Sequence, residues 1–253
     1  MSTIHTTASP LAEKLSLTGA VALVSGGSGG IGAATAALLA EAGATVVSAD
    51  VTPPNGAASD IVEHAACDVS NPDDARHLVE RIVREHERLD ILVHCAGITR
   101  DSVLWKMDDE AWSKVLSVNL DSAFHLLKAA TPALRRSPCA AVTMVSSING
   151  ERGRFGQANY AASKAGLIAL AKTAARELGA FGVRVNVVAP GLIETAMTAN
   201  LPAEAKERSV AETVLGRAGT PEDVAAAVLY LSSAMAGHVT GQVLRVDGGQ
   251  LMA

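Results

Sequence analysis

The stretch AVALVSGGSGGIGAATAALLAEAG, residues 20–43, restricts the fold of this chain more than any other. Its opening residues form a short apolar run ending in glycines, the pattern of a buried parallel strand. Residues 30–42 then read as a helix, which Gly43 can end. A strand passing through a glycine turn into a helix begins a strand–helix–strand crossover. The alternation continues along the chain. TVVSAD is a second strand closing on Asp50, and the turn-like residues 52–60 leave room only for an abbreviated crossover before IVEHAACDV. Helix 72–87, strand LDILVHCAG, helix 108–133, strand AAVTMVSS, helix 158–179 and strand VRVNVVAP follow. A helical excursion or lid at 192–215, a helix at 221–234 and a last strand QVLRVDGG complete it. Strand and helix alternating in this way predict an α/β fold, a doubly wound parallel sheet in one domain. That domain is expected over residues 18–253, after a flexible N-terminal arm at 1–17.

Composition narrows the functional classes. A net charge of -5, with no basic cluster longer than Arg135-Arg136, gives no pull towards nucleic acid. Cys67, Cys95 and Cys139 are isolated and odd in number, so neither a disulfide framework nor a thiolate metal site is expected. The seven histidines have no HExxH or other zinc spacing, and no catalytic metal is expected. No segment reads as a signal peptide, and none reaches the roughly 18 apolar residues of a membrane span. A cytoplasmic protein without a membrane partner is the expectation.

The glycine turn, VSGGSGGIG at 24–32, places Gly26, Gly30 and Gly32 where a backbone must turn tightly or approach a pyrophosphate. Gly27 and Gly29 add to it, and the spacing is Gly-x-x-x-Gly-x-Gly. A purely structural turn is the alternative; a P-loop is excluded because no Gly-Lys-Ser/Thr follows. Asp50, 18 residues beyond Gly32, stands where a carboxylate can accept from ribose hydroxyls. No lysine or arginine lies between Lys14 and Arg76 to meet a 2′-phosphate, so NAD(H) is expected over NADP(H). Asp68 either bonds the adenine edge or caps the following helix.

Further on, SSINGERGRFGQANYAASKAG at 146–166 follows a strand end. Tyr160 and Lys164, four apart, share a helix face. A phenol ionises near pH 10, and an adjacent ammonium with a nicotinamide's positive field favours the phenolate; a shift of about three units corresponds to about 4 kcal/mol. Such a phenol serves as acid or base near neutrality. The bland alternative is a surface helix carrying a chance pair.

Together these segments resemble the short-chain dehydrogenase/reductase family, whose pattern is a serine followed by Tyr-x-x-x-Lys. The likeness runs from about Leu17 to Gly249, with the motifs in family order. It implies a Rossmann-like fold with helices on both sheet faces and a catalytic set of Asn119, Ser147, Tyr160 and Lys164. Ser147 is preferred to Ser146 because it stands thirteen residues before Tyr160. Asn119 would hold a water linked to Lys164. Tyr160 would pass a proton to a ketone oxygen positioned by Ser147, while the dinucleotide passes hydride to the carbon. The cofactor's contacts would be Gly26, Ser28, Gly29, Gly30, Ile31, Gly32, Asp50, Asp68, Val69, Cys95, Ala96, Gly97, Pro190, Gly191, Ile193 and Thr195, with Tyr160 and Lys164. The family commonly has Asn-Asn-Ala-Gly where this chain has His94-Cys95-Ala96-Gly97. Cys95 cannot reproduce an asparagine amide's hydrogen bonds, and no base stands beside it for a nucleophilic role.

Within that family the chain looks most like bacterial 3-oxoacyl-[acyl-carrier-protein] reductases and acetoacetyl-CoA reductases, carried by GITRDSVLWKM, GQANYAASKAG and NVVAPGLIETAM. Those enzymes usually employ NADPH, which conflicts with the reading of Asp50. The implied substrate is a 3-oxoacyl or 3-hydroxyacyl thioester of CoA or a carrier protein, with Arg100, Arg152, Arg154 and Arg208 as a cationic rim. The alternatives are an NAD-dependent alcohol, sugar or cyclic-alcohol dehydrogenase, and a non-catalytic dinucleotide sensor, which the intact Ser-Tyr-Lys set argues against. A homotetramer is expected from the family habit.

Overall fold

Strand β1 (Val21–Ser25) is buried along its whole length, as its unbroken apolar run predicts for a strand covered on both faces. It is central to the computed structural model, which describes residues 9–52, 61–199 and 201–252. β2 (Thr45–Asp50), β3 (Val62–Ala66), β4 (Ile91–His94), β5 (Ala141–Val145), β6 (Arg184–Pro190) and β7 (Val243–Val246) complete a sheet ordered β3-β2-β1-β4-β5-β6-β7. Every pairing is parallel. Chain order reverses between β1 and β4, so a crevice opens at the carboxyl ends of those strands.

After a short exposed helix α1 (Pro10–Leu15), helix α2 (Gly30–Glu41) follows β1 through the glycine turn. α3 (Pro72–His86) starts where Asn71 caps Asp73 and Asp74 N–H groups, with proline at its first position. α4 (Asp109–Leu116), α5 (Ser122–Leu134), α6 (Ile148–Arg152) and α7 (Ala158–Leu178) follow. Then come α8 (Ala196–Ala199), α9 (Ala203–Ala211) and α10 (Pro221–Ser232), the last opened by a reciprocal Thr220–Asp223 capping box.

Two apolar layers hold the sheet. Leu23, Leu92, Val142 and Val185 pack with Ile82, Leu126 and Leu167 of α3, α5 and α7. On the opposite face Ala22, Val46 and Val93 meet Leu39 of α2 with Val224 and Leu231 of α10. At the strands' amino-terminal edge, buried Asp90 accepts from the Val21 N–H at 2.8 Å, from Arg88 at 2.7 and 2.9 Å and from the Ser137 hydroxyl at 2.5 Å. Among the described residues no helix is long and apolar enough to cross a membrane.

The doubly wound sheet expected from the alternation is present. Two local expectations change. The helix expected over 108–133 is interrupted by a π turn, Ser117–Asp121, between α4 and α5. One inserted residue is invisible to apolar spacing, yet it redirects every side chain at the bulge. Between the strand expected to end at Ser147 and the helix expected from residue 158, a further helix, α6, forms, because the Ser147 hydroxyl accepts from the Asn149 N–H at 3.1 Å and caps its start. Residues 1–8 of the expected arm and the turn at 53–60 lie outside the described residues, while the rest of that arm holds α1 and the buried Leu17.

Candidate active site

The carboxyl ends of β1, β2, β4, β5 and β6 surround a cleft of about 510 Å³. One wall is the glycine turn. A Cβ on Gly26, which has φ +68°, would lie 2.7 Å from the Ala96 backbone. A Cβ on Gly32 would lie 2.1 Å from the Gly26 carbonyl oxygen. Gly29 caps α2 with no side chain to occupy its first turn, and a Cβ there would meet open space. The cradle therefore offers a bare helix amino terminus to a pyrophosphate. The residues present fit a dinucleotide.

Gly26, Gly29, Gly30, Ile31, Gly32, Asp50, Asp68, Val69, Cys95, Ala96, Gly97, Pro190, Gly191, Ile193 and Thr195 all line this cleft with Ser147, Tyr160 and Lys164. Ser28 does not: its N–H donates to Asp50 Oδ2 at 3.2 Å and its hydroxyl to the Thr52 carbonyl at 2.6 Å. Asp50 Oδ1 also accepts from the Thr52 N–H at 3.3 Å. Asp68 accepts from the Ser70 hydroxyl at 2.6 Å and N–H at 3.0 Å, both at Oδ1, and these bonds hold its carboxyl below the usual range against the opposing effect of burial. The cap of α3 is Asn71, not Asp68.

Across the cleft, Lys164 Nζ donates to the Val145 carbonyl at 2.8 Å and stands 5.7 Å from the Tyr160 ring centroid. Gly97 stands opposite it, where a Cβ would come within 3.2 Å of that nitrogen, tighter than an ordinary contact. Burial lowers the ammonium to about 8, with Cys95 opposing. The expected depression of Tyr160 is not met by the ammonium. Burial pushes the phenol up to about 12, hydrogen bonding with Ser147 opposes this, Asp101 adds to it and Arg154 opposes. Burial likewise pushes the Cys95 thiol up to about 12, so it is no nucleophile near neutrality.

Asn119 does not line the cleft; it sits behind it, fully buried on the π turn. Its Oδ1 accepts from the Ile98 N–H at 2.8 Å, and its Nδ2 donates to the Ile98 carbonyl at 3.1 Å and to Ser163 Oγ at 3.0 Å. The Ser163 hydroxyl in turn donates to the Tyr160 carbonyl at 2.8 Å. Asn119 thus ties the β4 loop to the turn of α7 between tyrosine and lysine.

α8 and α9 form the expected helical excursion, and Ala196, Met197 and Thr198 of α8 line the cleft. Arg152 donates to Glu212 Oε2 at 2.9 Å and to Asn149 Oδ1 at 3.3 Å. Gln250 donates to the same Glu212 oxygen at 2.8 Å and accepts from the Leu192 N–H at 3.1 Å. Of the expected cationic rim, Arg100 lines the cleft and Arg154 acts on the phenol, while Arg152 is paired and Arg208 donates to its own helix at Glu204. Residues missed by sequence reasoning include Ile98, Lys114, Val118 and Met197, which reach the lining from separate elements and share no motif.

The family described as Enoyl-(Acyl carrier protein) reductase matches residues 26–250. The 3-oxoacyl-[acyl-carrier-protein] reductase FabG of Thermotoga maritima is 42% identical over 243 residues, covering 92% of this chain and 98% of that protein. A (3R)-3-hydroxyacyl-CoA dehydrogenase of Mus musculus is 42% identical over 261 residues, covering 96% and 100%. The ligand-free aldohexose dehydrogenase structure from Thermoplasma acidophilum superposes with a TM-score of 0.86 at 29% identity, covering 94% and 95%.

These relatives overturn the expected preference for NAD(H) over NADP(H), because the 3-oxoacyl-carrier reductases it matches are NADPH-specific. The physical reason lies in the fold. The argument from Asp50 counted cations only along the neighbouring chain, whereas Lys114 enters the same cleft from a distant segment and acts on Asp68. Asp50 itself is engaged by the N–H groups of Ser28 and Thr52.

Proposed function

The chain belongs to the short-chain dehydrogenase/reductase family, and from that premise we propose that it is a nicotinamide-dinucleotide-dependent oxidoreductase of 3-oxoacyl and 3-hydroxyacyl thioesters. The observation that carries this is the convergence of Ser147, Tyr160 and Lys164 with the glycine cradle in one cleft. A bound dinucleotide supplies hydride to the carbonyl carbon, or takes it in the reverse direction. The protein's residues handle the proton. Tyr160 donates it to the developing alkoxide, and the Ser147 hydroxyl holds that oxygen in place. Lys164 holds the nicotinamide ribose hydroxyls and offers a positive charge to the phenolate left behind. Asn119 keeps tyrosine and lysine in register through Ile98 and Ser163. Gly26, Gly29, Gly30 and Gly32 with the amino terminus of α2 take the pyrophosphate, and Ile193 and Thr195 close on the nicotinamide.

Arg100 in the lining supports an anionic carrier for the acyl group, such as the phosphates of CoA or of a carrier arm. We also infer a homotetramer, which light scattering on the purified protein tests. Exposed Trp112 on α4 and Phe124 on α5 support self-association.

The deciding assay measures turnover with each nicotinamide dinucleotide on acetoacetyl-CoA, a longer 3-oxoacyl thioester and simple cyclic ketones. Thioester reduction is expected. Turnover confined to cyclic ketones or sugars would move the assignment to an alcohol or sugar dehydrogenase. Tyr160→Phe is expected to lower kcat by about 10²–10⁴-fold while dinucleotide binding persists. An undiminished rate in that variant would sink the mechanism, and tight binding with no turnover in either protein would favour a sensor.

A further inference from the structure

His94 occupies the first position of the segment where this chain departs from the family's Asn-Asn-Ala-Gly, and it is buried with 1% exposure. Its ring lies between two machinery elements. Nδ1 is 2.9 Å from Ser25 Oγ, at the end of the strand that feeds the glycine turn. Nε2 is 3.2 Å from the Asn119 carbonyl oxygen on the π turn and 3.4 Å from Ser122 Oγ at the start of α5.

These contacts settle the proton's place on the ring. A carbonyl only accepts, so Nε2 carries the hydrogen. The Ser122 hydroxyl donates to the Val118 carbonyl at 2.6 Å and can also accept from Nε2. Nδ1 is then the acceptor, and the Ser25 hydroxyl donates to it; the bond at one ring nitrogen fixes the tautomer at the other. Burial and then the Lys164 charge lower the ring to about 3 against the opposing bond to Asn119, so the ring is neutral at working pH.

A line of hydrogen bonds therefore runs from Ser25 through His94 to Asn119, then to Ser163 and the Tyr160 carbonyl. Resting on the roles proposed above for Asn119, Tyr160 and Lys164, we propose that His94 is a positioning residue that sets the π turn and its carbonyl for proton delivery. Its neutral Nε2–H form pins the Asn119 backbone while leaving the carboxamide to hold Ile98 and Ser163. The carbonyl's second lone pair stays available to the proton path. A π turn shifts the helical hydrogen-bond ladder by one step, and an external donor on the Asn119 carbonyl adds a restraint at that irregularity. The Ser25 hydroxyl acts one step further out, by keeping the ring in the donating tautomer.

His94→Leu removes the donor and preserves bulk. Its kcat is expected to fall by about tenfold or more, with the dinucleotide KM changed by less than about threefold. His94→Gln places an amide N–H near Nε2 and is expected to recover most of that loss. Ser25→Ala, the milder variant should His94→Leu fail to fold, removes the donor that orients the ring through Nδ1 and is expected to lower kcat several-fold. Nitrogen-15 spectra of the full-length protein should show a neutral Nε2–H ring in the parent.

Tyr160→Phe run in parallel separates the two levels. If that variant is inactive while His94→Leu and Ser25→Ala keep the parent kcat, the inference alone is overturned. Parent spectra showing the Nδ1–H tautomer also overturn it, as does a loss in His94→Leu that glutamine does not relieve. An active Tyr160→Phe removes both the site assignment and the inference built on it.

Discussion

Lys164 carries its charge in a buried position with the Val145 carbonyl as a hydrogen-bond partner, and that cost brings its titration to about 8. Below that pH the ammonium is present; above it the amine cannot offer charge to ribose hydroxyls or a phenolate. Dinucleotide affinity is therefore expected to weaken as pH rises through about 8. Fluorescence titration between pH 6.5 and 9.5 checks this, with Lys164→Ala expected to give a weak, flat profile. His94 acts in the opposite direction on pH and on a different quantity. Its folded pKa of about 3 lies below the ordinary 6.5, so between those values the unfolded chain binds a proton that the folded chain refuses. Stability is thus lost as pH falls below 6.5, by up to about 5 kcal/mol for this one group. Denaturant titration at pH 7 and pH 4.5 measures it, and His94→Gln is expected to show a shallower decline. At this scale sequence reading was strongest where chemistry is carried by spacing: Tyr160, Lys164 and Ser147 meet in the cleft. It was weakest on titration, since the phenol's position depends on burial that no motif encodes.

The glycine turn and α2 form the element on which cofactor binding depends. Gly32 sits inside the helix's first turn with the Gly26 carbonyl directly against it, and backbone cannot yield as a flexible side chain does. Gly32→Ala is expected to abolish measurable dinucleotide binding and to destabilise the protein by about 1–3 kcal/mol, read by calorimetry with and without dinucleotide. An alanine there that binds normally would mean the turn is not the pyrophosphate seat. The alternation of strands and helices was legible because periods of two and 3.6, buried strand runs and glycine stops all leave marks in sequence. The π turn at 117–121 and the start of α6 at Ile148 were not legible. The first differs from an α-helix by one hydrogen-bond step, and the second arises when a serine read as catalytic also acts as a helix cap.

The molecule as a whole separates stability from function across the sheet. The cleft lies at the strands' carboxyl ends, while Asp90, with an unexposed side chain, lies at the amino-terminal edge paired to Arg88. Burial alone would raise the Asp90 carboxyl; the bonds from Arg88, Ser137 and Val21 outweigh it and hold it low. Asp90→Asn is expected to cost about 3 kcal/mol because it leaves buried donors and a cation without their charge partner. Thermal melts should register that loss, with KM values unchanged; a changed KM with an unchanged melt would contradict the division. The sequence by itself determined the alternating α/β architecture, the glycine cradle and the Ser-Tyr-Lys set, because each depends on near neighbours along one chain segment. Tertiary structure alone decided what stands opposite them. Arg100 and Lys114 enter the cofactor cleft across elements, and His94 reaches Asn119 over twenty-five residues of sequence. Such contacts are set by how helices and strands pack across a sheet, a geometry that local spacing does not record.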